Sequence, residues 1–273
     1  MIHSIQYQKT CLAGLDAMRA ESAQSYPRHT HDQYGIGVMD RGVHASASDG
    51  KEVKAGPGNL IFVNPGEVHD GRASGGTSRM WRMLYFDPAL MLDAQSDVLE
   101  GVERPFDFPA AVAIDPVLQG LFNALFVHAT RDSEGDGTPL DAMACEAVLL
   151  QLAAHLRQRL VPSQRIAPSG QSIRRAKERI DTDPAAALTL AALADDAGVS
   201  RYQLHRNFIR ELGFAPHAYI LQQRIALARR LIRSGTPLAD AALAAGFYDQ
   251  SHLNRWFLRV FGVSPGTYAL SMG

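Results

Sequence analysis

Thiols are scarce in this chain. Among 273 residues only Cys11 and Cys145 carry one. Two cysteines so far apart exclude a disulfide framework and a thiolate zinc cluster, and they suit a reducing cytoplasm. Long apolar runs are missing as well. None approaches the roughly twenty residues of a membrane-spanning helix, so no membrane partner is expected. The opening stretch MIHSIQYQKTCLAG lacks the basic start and apolar core of a secretory leader. Charge of either sign is also not in excess. The formal net charge is −1, which taken whole argues against a nucleic-acid partner. What is present is an ordinary globular composition, 46 % hydrophobic and 20 % charged, in a chain long enough for two domains.

The near-zero charge hides an asymmetry. Residues 1–169 carry 14 Lys and Arg against 20 Asp and Glu, a net −6, whereas residues 170–273 carry 13 against 8, a net +5. An acidic first part and a basic second part is the pattern of a sensor joined to a DNA module. All but one of the basic residues in the second part are Arg, which suits bidentate contacts to guanine or phosphate.

The basic part contains one pattern twice. LAALADDAGVSRYQLHRNFIRELGFAP runs from Leu190 to Pro216, and LADAALAAGFYDQSHLNRWFLRVFGVSP from Leu238 to Pro265. Leu204, Arg206, Phe208, Arg210, Gly213 and Pro216 recur 49 residues later as Leu253, Arg255, Phe257, Arg259, Gly262 and Pro265. A repeat of this kind is an architectural signal. Each copy reads as helix, tight turn, helix. Thr189 is the predicted N-cap of the first helix, and Gly198 its stop. Ser200 and Gln203 form a capping box for the second helix. In the second copy Thr236 is the predicted cap, with Pro237 at the first helical position. Leu204, Phe208 and Leu212, and then Leu253, Phe257 and Phe261, line the buried faces. That leaves Arg201, Tyr202, Gln203, His205, Arg206 and Arg210 facing outward in one unit. In the other the outward set is Gln250, Ser251, His252, Asn254, Arg255 and Arg259. These side chains read base edges and hold phosphates. A polar helix face is commonly no more than a solvated one; two units with matching Arg and Phe positions outweigh that reading.

These residues, above all the run GFYDQSHLNRWFLRVFGVSP, resemble the AraC/XylS family of transcription regulators. The resemblance covers about Ser172 to Tyr268. It implies two helix-turn-helix units joined by a long helix, His217 to Arg233, each unit placing its second helix in one of two successive major-groove segments. It places base reading on Tyr202, His205, Arg206, Gln250, Ser251, Asn254 and Arg255. Phosphate contacts fall to Arg201, Arg210 and Arg259. Alanines 241, 242, 244 and 245 make the first helix of the second unit poorer in large side chains than most members.

Residues 1–115 read as mostly strand, with short apolar runs between turn signals, and suggest a small antiparallel barrel. The region 29–85 resembles the cupin barrels that precede such DNA-binding domains. The matching residues are His29-Thr30-His31, Gly42 and Asn64-Pro65-Gly66-Glu67-Val68-His69. Residues two apart share a strand face, so His29 and His31 point together. The favoured reading is a pocket for a small effector lined from Arg28, His29, His31, Tyr34, His69, Trp81, Arg82 and Tyr85. Arg28 and Arg82 would then pair an acidic group, although alternation turns Arg82 away from Trp81. The other reading of His29, His31 and His69 is a divalent-metal site. Cupin enzymes add a carboxylate shortly after the paired histidines; here Gln33, Tyr34, Gly35 and Ile36 occupy that stretch. No resident cofactor is therefore expected.

Residues 116–161 turn helical. One stripe runs through Leu118, Leu121, Phe122, Leu125 and Phe126, and a second through Ala142, Cys145, Leu149, Leu152, Leu156 and Leu160. The second stripe suits packing on the barrel or on another subunit, and the resemblance favours a homodimer. A polar loop is expected at residues 131–139 and a linker at 162–171, followed by the DNA-binding domain at 172–273. The sequence therefore predicts an α+β multidomain protein: a cupin-like antiparallel β-barrel with following helices, then an all-α domain of two helix-turn-helix units. The expected function is a cytoplasmic regulator and not an enzyme, with double-stranded DNA, a small effector and RNA polymerase as partners. The alternative is a metal-dependent cupin enzyme with a helical appendage.

Overall fold

The computed structural model describes residues 3–48, 51–98, 106–131, 139–157, 160–162 and 171–272. The chain divides into two compact units between Gln164 and Arg165.

The first unit is built on nine consecutive strands: β1 (His3–Gln8), β2 (Leu15–Ser22), β3 (Tyr26–His29), β4 (Tyr34–Arg41), β5 (His44–Ser48), β6 (Lys51–Ala55), β7 (Leu60–Val63), β8 (His69–Ala73) and β9 (Arg79–Phe86). Then come α1 (Pro88–Val98), the short strands β10 (Phe106–Asp107) and β11 (Val112–Ala113), α2 (Pro116–Arg131), α3 (Pro139–Arg157) and β12 (Val161–Pro162). Every pairing is antiparallel. A six-stranded sheet has the order β1-β2-β9-β4-β7-β11, and a four-stranded sheet the order β3-β8-β5-β6. This is the expected cupin-like architecture in an open form: among the described residues no register joins the two sheets into a ring.

Strand alternation gives the large sheet two different faces. One carries Leu15, Ala17, Tyr34, Ile36, Val38, Leu60, Phe62, Leu84 and Phe86, all buried against the helices. Leu118, Phe122, Leu125 and Phe126 of α2 meet it, with Cys145, Leu149, Leu152 and Leu156 of α3. Each such side chain stabilises by about 1.5–3 kcal/mol when fully buried. The second helical stripe, expected to suit either the barrel or a partner subunit, is therefore consumed inside this unit. The other face carries Trp81, Met83 and Tyr85 and turns toward the small sheet: Trp81 lies 6.2 Å from the Tyr26 ring and 6.3 Å from that of His44.

Three details depart from the sequence reading. Helix α1 interrupts a region read as strand. Its three buried residues, Met91, Ala94 and Gln95, give too short an apolar stripe to stand out. The two cysteines are neighbours in space, since Cys145 hydrogen-bonds with Cys11; burial, and then that bond, raise the Cys145 pKa well above its usual value. Both remain free thiols. Pro162 pairs with Phe106 in the β10–β12 ladder, so the first unit extends into the predicted linker. Residues 163–170 of that linker and 132–138 of the polar loop lie outside the described residues.

The second unit is helical: α4 (Gln171–Thr182), α5 (Leu190–Ala197), α6 (Arg201–Leu212), α7 (Pro216–Arg233), α8 (Leu238–Ala244), α9 (Gln250–Phe261) and α10 (Pro265–Met272). Ile173, Ala176, Ile180, Leu193, Leu204 and Phe208 form the core of the first half, and the Tyr219 ring meets Phe208 edge-on at 6.0 Å. Leu212, placed on the buried face from the sequence, is only half-buried at the helix end. Ala241, Ala242, Leu253, Phe257 and Phe261 form the core of the second half, closed by Tyr268 at 5.4 Å from Phe257. Ala241 and Ala242 of α8 and its C-cap Ala245 are fully buried, whereas Ala239 and Ala244 face outward.

No helix among the described residues is long and apolar enough to cross a membrane.

Candidate functional site

The two helix-turn-helix units are held by local chemistry. Thr189 accepts from the Ala192 amide at 3.1 Å, and Gly198 ends α5 in the left-handed region at φ 67°. Ser200 and Gln203 make both bonds of the capping box, at 3.2 and 3.0 Å. In the second unit the expected Thr236 cap is displaced. Pro237 itself occupies the N-cap position with extended backbone, and Leu238 is the first helical residue. Asp249, which the sequence reading passed over, caps α9 by accepting from the His252 amide at 2.6 Å.

With their starts fixed, α6 and α9 turn the same kinds of side chain to the surface. Arg201, Tyr202, Gln203, Arg206 and Arg210 are exposed on α6, as are Gln250, Ser251, Asn254, Arg255 and Arg259 on α9. Tyr202 is 72 % exposed, high for an aromatic with no partner surface. The Arg206 guanidinium lies 5.8 Å from the Tyr202 ring, and that of Arg259 5.1 Å from Trp256. Four of the twelve positions carry other duties. Gln203 uses its carbonyl oxygen in the capping box. His205 and His252 are half-buried, His252 edge-on to Phe247 at 5.3 Å. Arg210 pairs with Glu211 at 2.8 Å.

Behind these helices α7 carries Arg224, which no motif singles out. Its Nε donates to Pro184 O at 2.7 Å, one terminal nitrogen to Gly246 O at 2.7 Å and the other to Ala186 O at 2.9 Å. One side chain thus ties the approach to α5 to the turn between α8 and α9. Gly246 sits at φ +80°, and a Cβ there would come within 2.8 Å of Ala185 Cα. Only glycine allows that approach.

In the first unit the structure divides the eight predicted pocket residues. His29, His31 and His69 come together, with ring centroids 4.4–5.1 Å apart. Tyr85 lies 5.3 Å from His31, and Trp81 lies further along the same strand face. Tyr34 does not join them. It points into the helix-covered core, stacks on Phe106 at 4.6 Å and donates to the Phe106 carbonyl at 2.8 Å. Arg82 faces the helices as well, in a bidentate pair with Asp40 at 2.9 and 2.7 Å and over the Phe122 and Phe126 rings. Arg28 is exposed. The expectation that Arg28 and Arg82 jointly hold an acidic group is therefore overturned, because strand parity puts Arg82 on the wrong face.

The inner face holds another arginine instead. Arg79 is fully buried on β9. Its Nε donates to His44 Nδ1 at 3.0 Å, and one terminal nitrogen donates to Ser22 O at 3.3 Å and Gln24 O at 3.0 Å. Its guanidinium lies over Trp81 at 4.8 Å and Tyr26 at 5.7 Å. Among the described residues the other terminal nitrogen is buried without a hydrogen-bond partner. Burial and the Arg79 charge hold the His44 pKa down at about 3. Burial and then His69 hold that of His29 at about 3. Both imidazoles are neutral near pH 7. Tyr26, His44 and Arg79 were missed because they carry no motif; only the register of β9 between β2 and β4 brings Arg79 to this face.

Two family models match the chain: an AraC-like ligand binding domain over residues 13–153 and a helix-turn-helix domain over residues 193–270. Among curated proteins, an uncharacterised HTH-type transcriptional regulator of Bacillus subtilis, YbfI, is 27 % identical over 234 residues, covering 84 % of this chain and 82 % of that protein. The HTH-type transcriptional activator RhaS of Shigella flexneri is 24 % identical over 270 residues, covering 97 % and 95 %. Among solved structures, ToxT of Vibrio cholerae superposes with a TM-score of 0.57 at 11 % identity, covering 98 % of each chain. At that identity the likeness speaks for the fold.

Proposed function

The chain belongs to the AraC family of transcriptional regulators, ligand-responsive proteins that bind DNA, and from that premise we propose how its parts divide the work. Helices α6 and α9 read two successive major-groove segments. Tyr202, His205, Arg206, Gln250, Ser251, Asn254 and Arg255 meet base edges, and Arg201, Arg210 and Arg259 hold phosphates. Gln203 contributes mainly by fixing the start of α6, and His252 by packing against Phe247. The observation that carries this reading is the pair of capped helices with matching exposed arginines, each seated on a phenylalanine-centred core.

The effector enters between the two sheets of the first unit, beside His29, His31, His69, Trp81 and Tyr85. An acidic effector entering there meets Arg79 only by displacing the Trp81 and Tyr26 rings that cover it. Effector binding shifts the DNA affinity of the second unit by linkage. The protein works as a homodimer in the cytoplasm and acts as an activator that contacts RNA polymerase; the relatives named RhaS are transcriptional activators. We read it as a regulator rather than a metal-dependent enzyme, because its relatives are regulators and an enzyme has no use for a doubled DNA-binding unit.

The test is a footprint of the purified chain on the DNA upstream of its neighbouring genes, with and without a panel of small acids and sugars. Protection of two adjacent major-groove segments supports the reading. Protection without sequence preference removes it.

A further inference from the structure

We propose that His29, His31 and His69 form a site for one divalent transition-metal ion, of the zinc, nickel or cobalt type. The rings come from three segments: β3, the β3–β4 connection and β8. One nitrogen of each lies within 4.8 Å of the others. The backbone orients them for this. His29 Nδ1 is 2.7 Å from the Pro27 carbonyl and His69 Nδ1 is 3.0 Å from the Glu67 carbonyl. A carbonyl only accepts, so each Nδ1 carries the proton and each Nε2 keeps a lone pair for an ion. Metal-ligating imidazoles are held by this kind of outer hydrogen bond. The Gly66 amide donates to the His31 carbonyl at 2.6 Å, pinning the segment that carries His31 to the turn before β8.

The donor set selects the ion. It is all imidazole, which suits borderline transition metals; magnesium and calcium require oxygen ligands. Glu67 is not in the cluster: its Oε2 accepts from the Asn64 amide and side chain, both at 3.0 Å. Three protein ligands leave further coordination positions open to an outside molecule. Tyr85 forms the wall beside His31. The site itself follows from geometry. Its consequence, a sensor unit that requires a metal to take its effector, rests on the reading of this unit as the effector domain.

The experiment uses the untagged full chain, stripped with a chelator and desalted. Zinc chloride is added, and the retained metal is counted by elemental mass spectrometry. Cobalt chloride in parallel reports coordination through its visible absorption. We expect one ion per chain. His31→Gln and His69→Gln should each weaken binding by more than roughly a hundredfold, beyond the range seen for lost outer partners. His217→Gln, an exposed histidine of the second unit, should bind as the wild type does. Circular dichroism confirms that the variants fold. No saturable uptake by the wild type overturns the proposal, as does equal uptake by both folded variants. Should the variants fail to fold, the wild-type cobalt spectrum decides: bands unlike those of the aqueous ion support the site, and a spectrum like it overturns the site. A DNA footprint of the stripped chain tests the regulator reading separately.

Discussion

Arg255 stands exposed on the second turn of α9, and a guanidinium has the fork geometry to donate to a guanine edge through two nitrogens. Arg255→Ala should cost about 1–3 kcal/mol of specific binding and relax sequence preference at one position. Fluorescence anisotropy on specific and scrambled duplexes checks this; equal losses on both would place Arg255 on phosphate instead. His44 makes a different kind of prediction. Burial holds its pKa at about 3, below its unfolded value of 6.5. Protonation therefore favours the unfolded chain, and the contribution is fully present above pH 6.5 and lost as the pH falls toward 3. The melting temperature of the first unit should drop over that window, and His44→Gln should flatten the dependence. Residue roles were legible where they rest on local spacing, as for Ser200 with Gln203 or for the His29–His31 pair. They were illegible where a register decides: nothing in the sequence around Arg79 and Arg82 tells which of the two faces the histidines.

At the scale of elements, the helix ends repay attention because their chemistry is short-range. Ser200→Ala removes one cap bond of α6 and should cost about 0.5–2 kcal/mol, read from chemical denaturation. Gly246→Ala should cost more than that, since the new methyl meets Ala185 backbone at 2.8 Å and the φ of +80° is unfavourable to any side chain. Both helix-turn-helix units could be located from Thr189, Gly198 and Ser200 and from the offset between the copies. Asp249 lies 49 residues after Ser200, the offset of the repeat, but it escaped notice because the matched residues begin only at Leu204 and Leu253. The amphipathic stripe of α3 was visible from Cys145 to Leu156, but a stripe does not name what it packs on; α1 and α2 took it, inside the core that α2 shares with the six-stranded sheet. The outer side of α3 keeps Met143 and Leu150, 61 % and 38 % exposed and two turns apart. That is the strip a second subunit would cover, so the double variant Met143→Glu, Leu150→Glu should sediment as a monomer.

At the scale of the molecule, Arg224 reaches from α7 to backbone on both sides of it, donating to Pro184, Ala186 and Gly246. Arg224→Met keeps the aliphatic stem, strands three carbonyl oxygens and should cost on the order of 3 kcal/mol of stability in the second unit. Loss of affinity for a two-segment duplex should exceed the loss for a single segment. If α6 and α9 read two segments as proposed, that tie would make the DNA-reading half of the chain a fixed ruler, and its target would have to match the ruler in phase as well as in letters. Adding about 5 base pairs, half a turn of duplex, between the two segments should turn one of them to the far side and abolish tight binding. Promoters that answer to this protein are therefore free to drift in sequence between the two contacted stretches, but not in the number of steps that separates them.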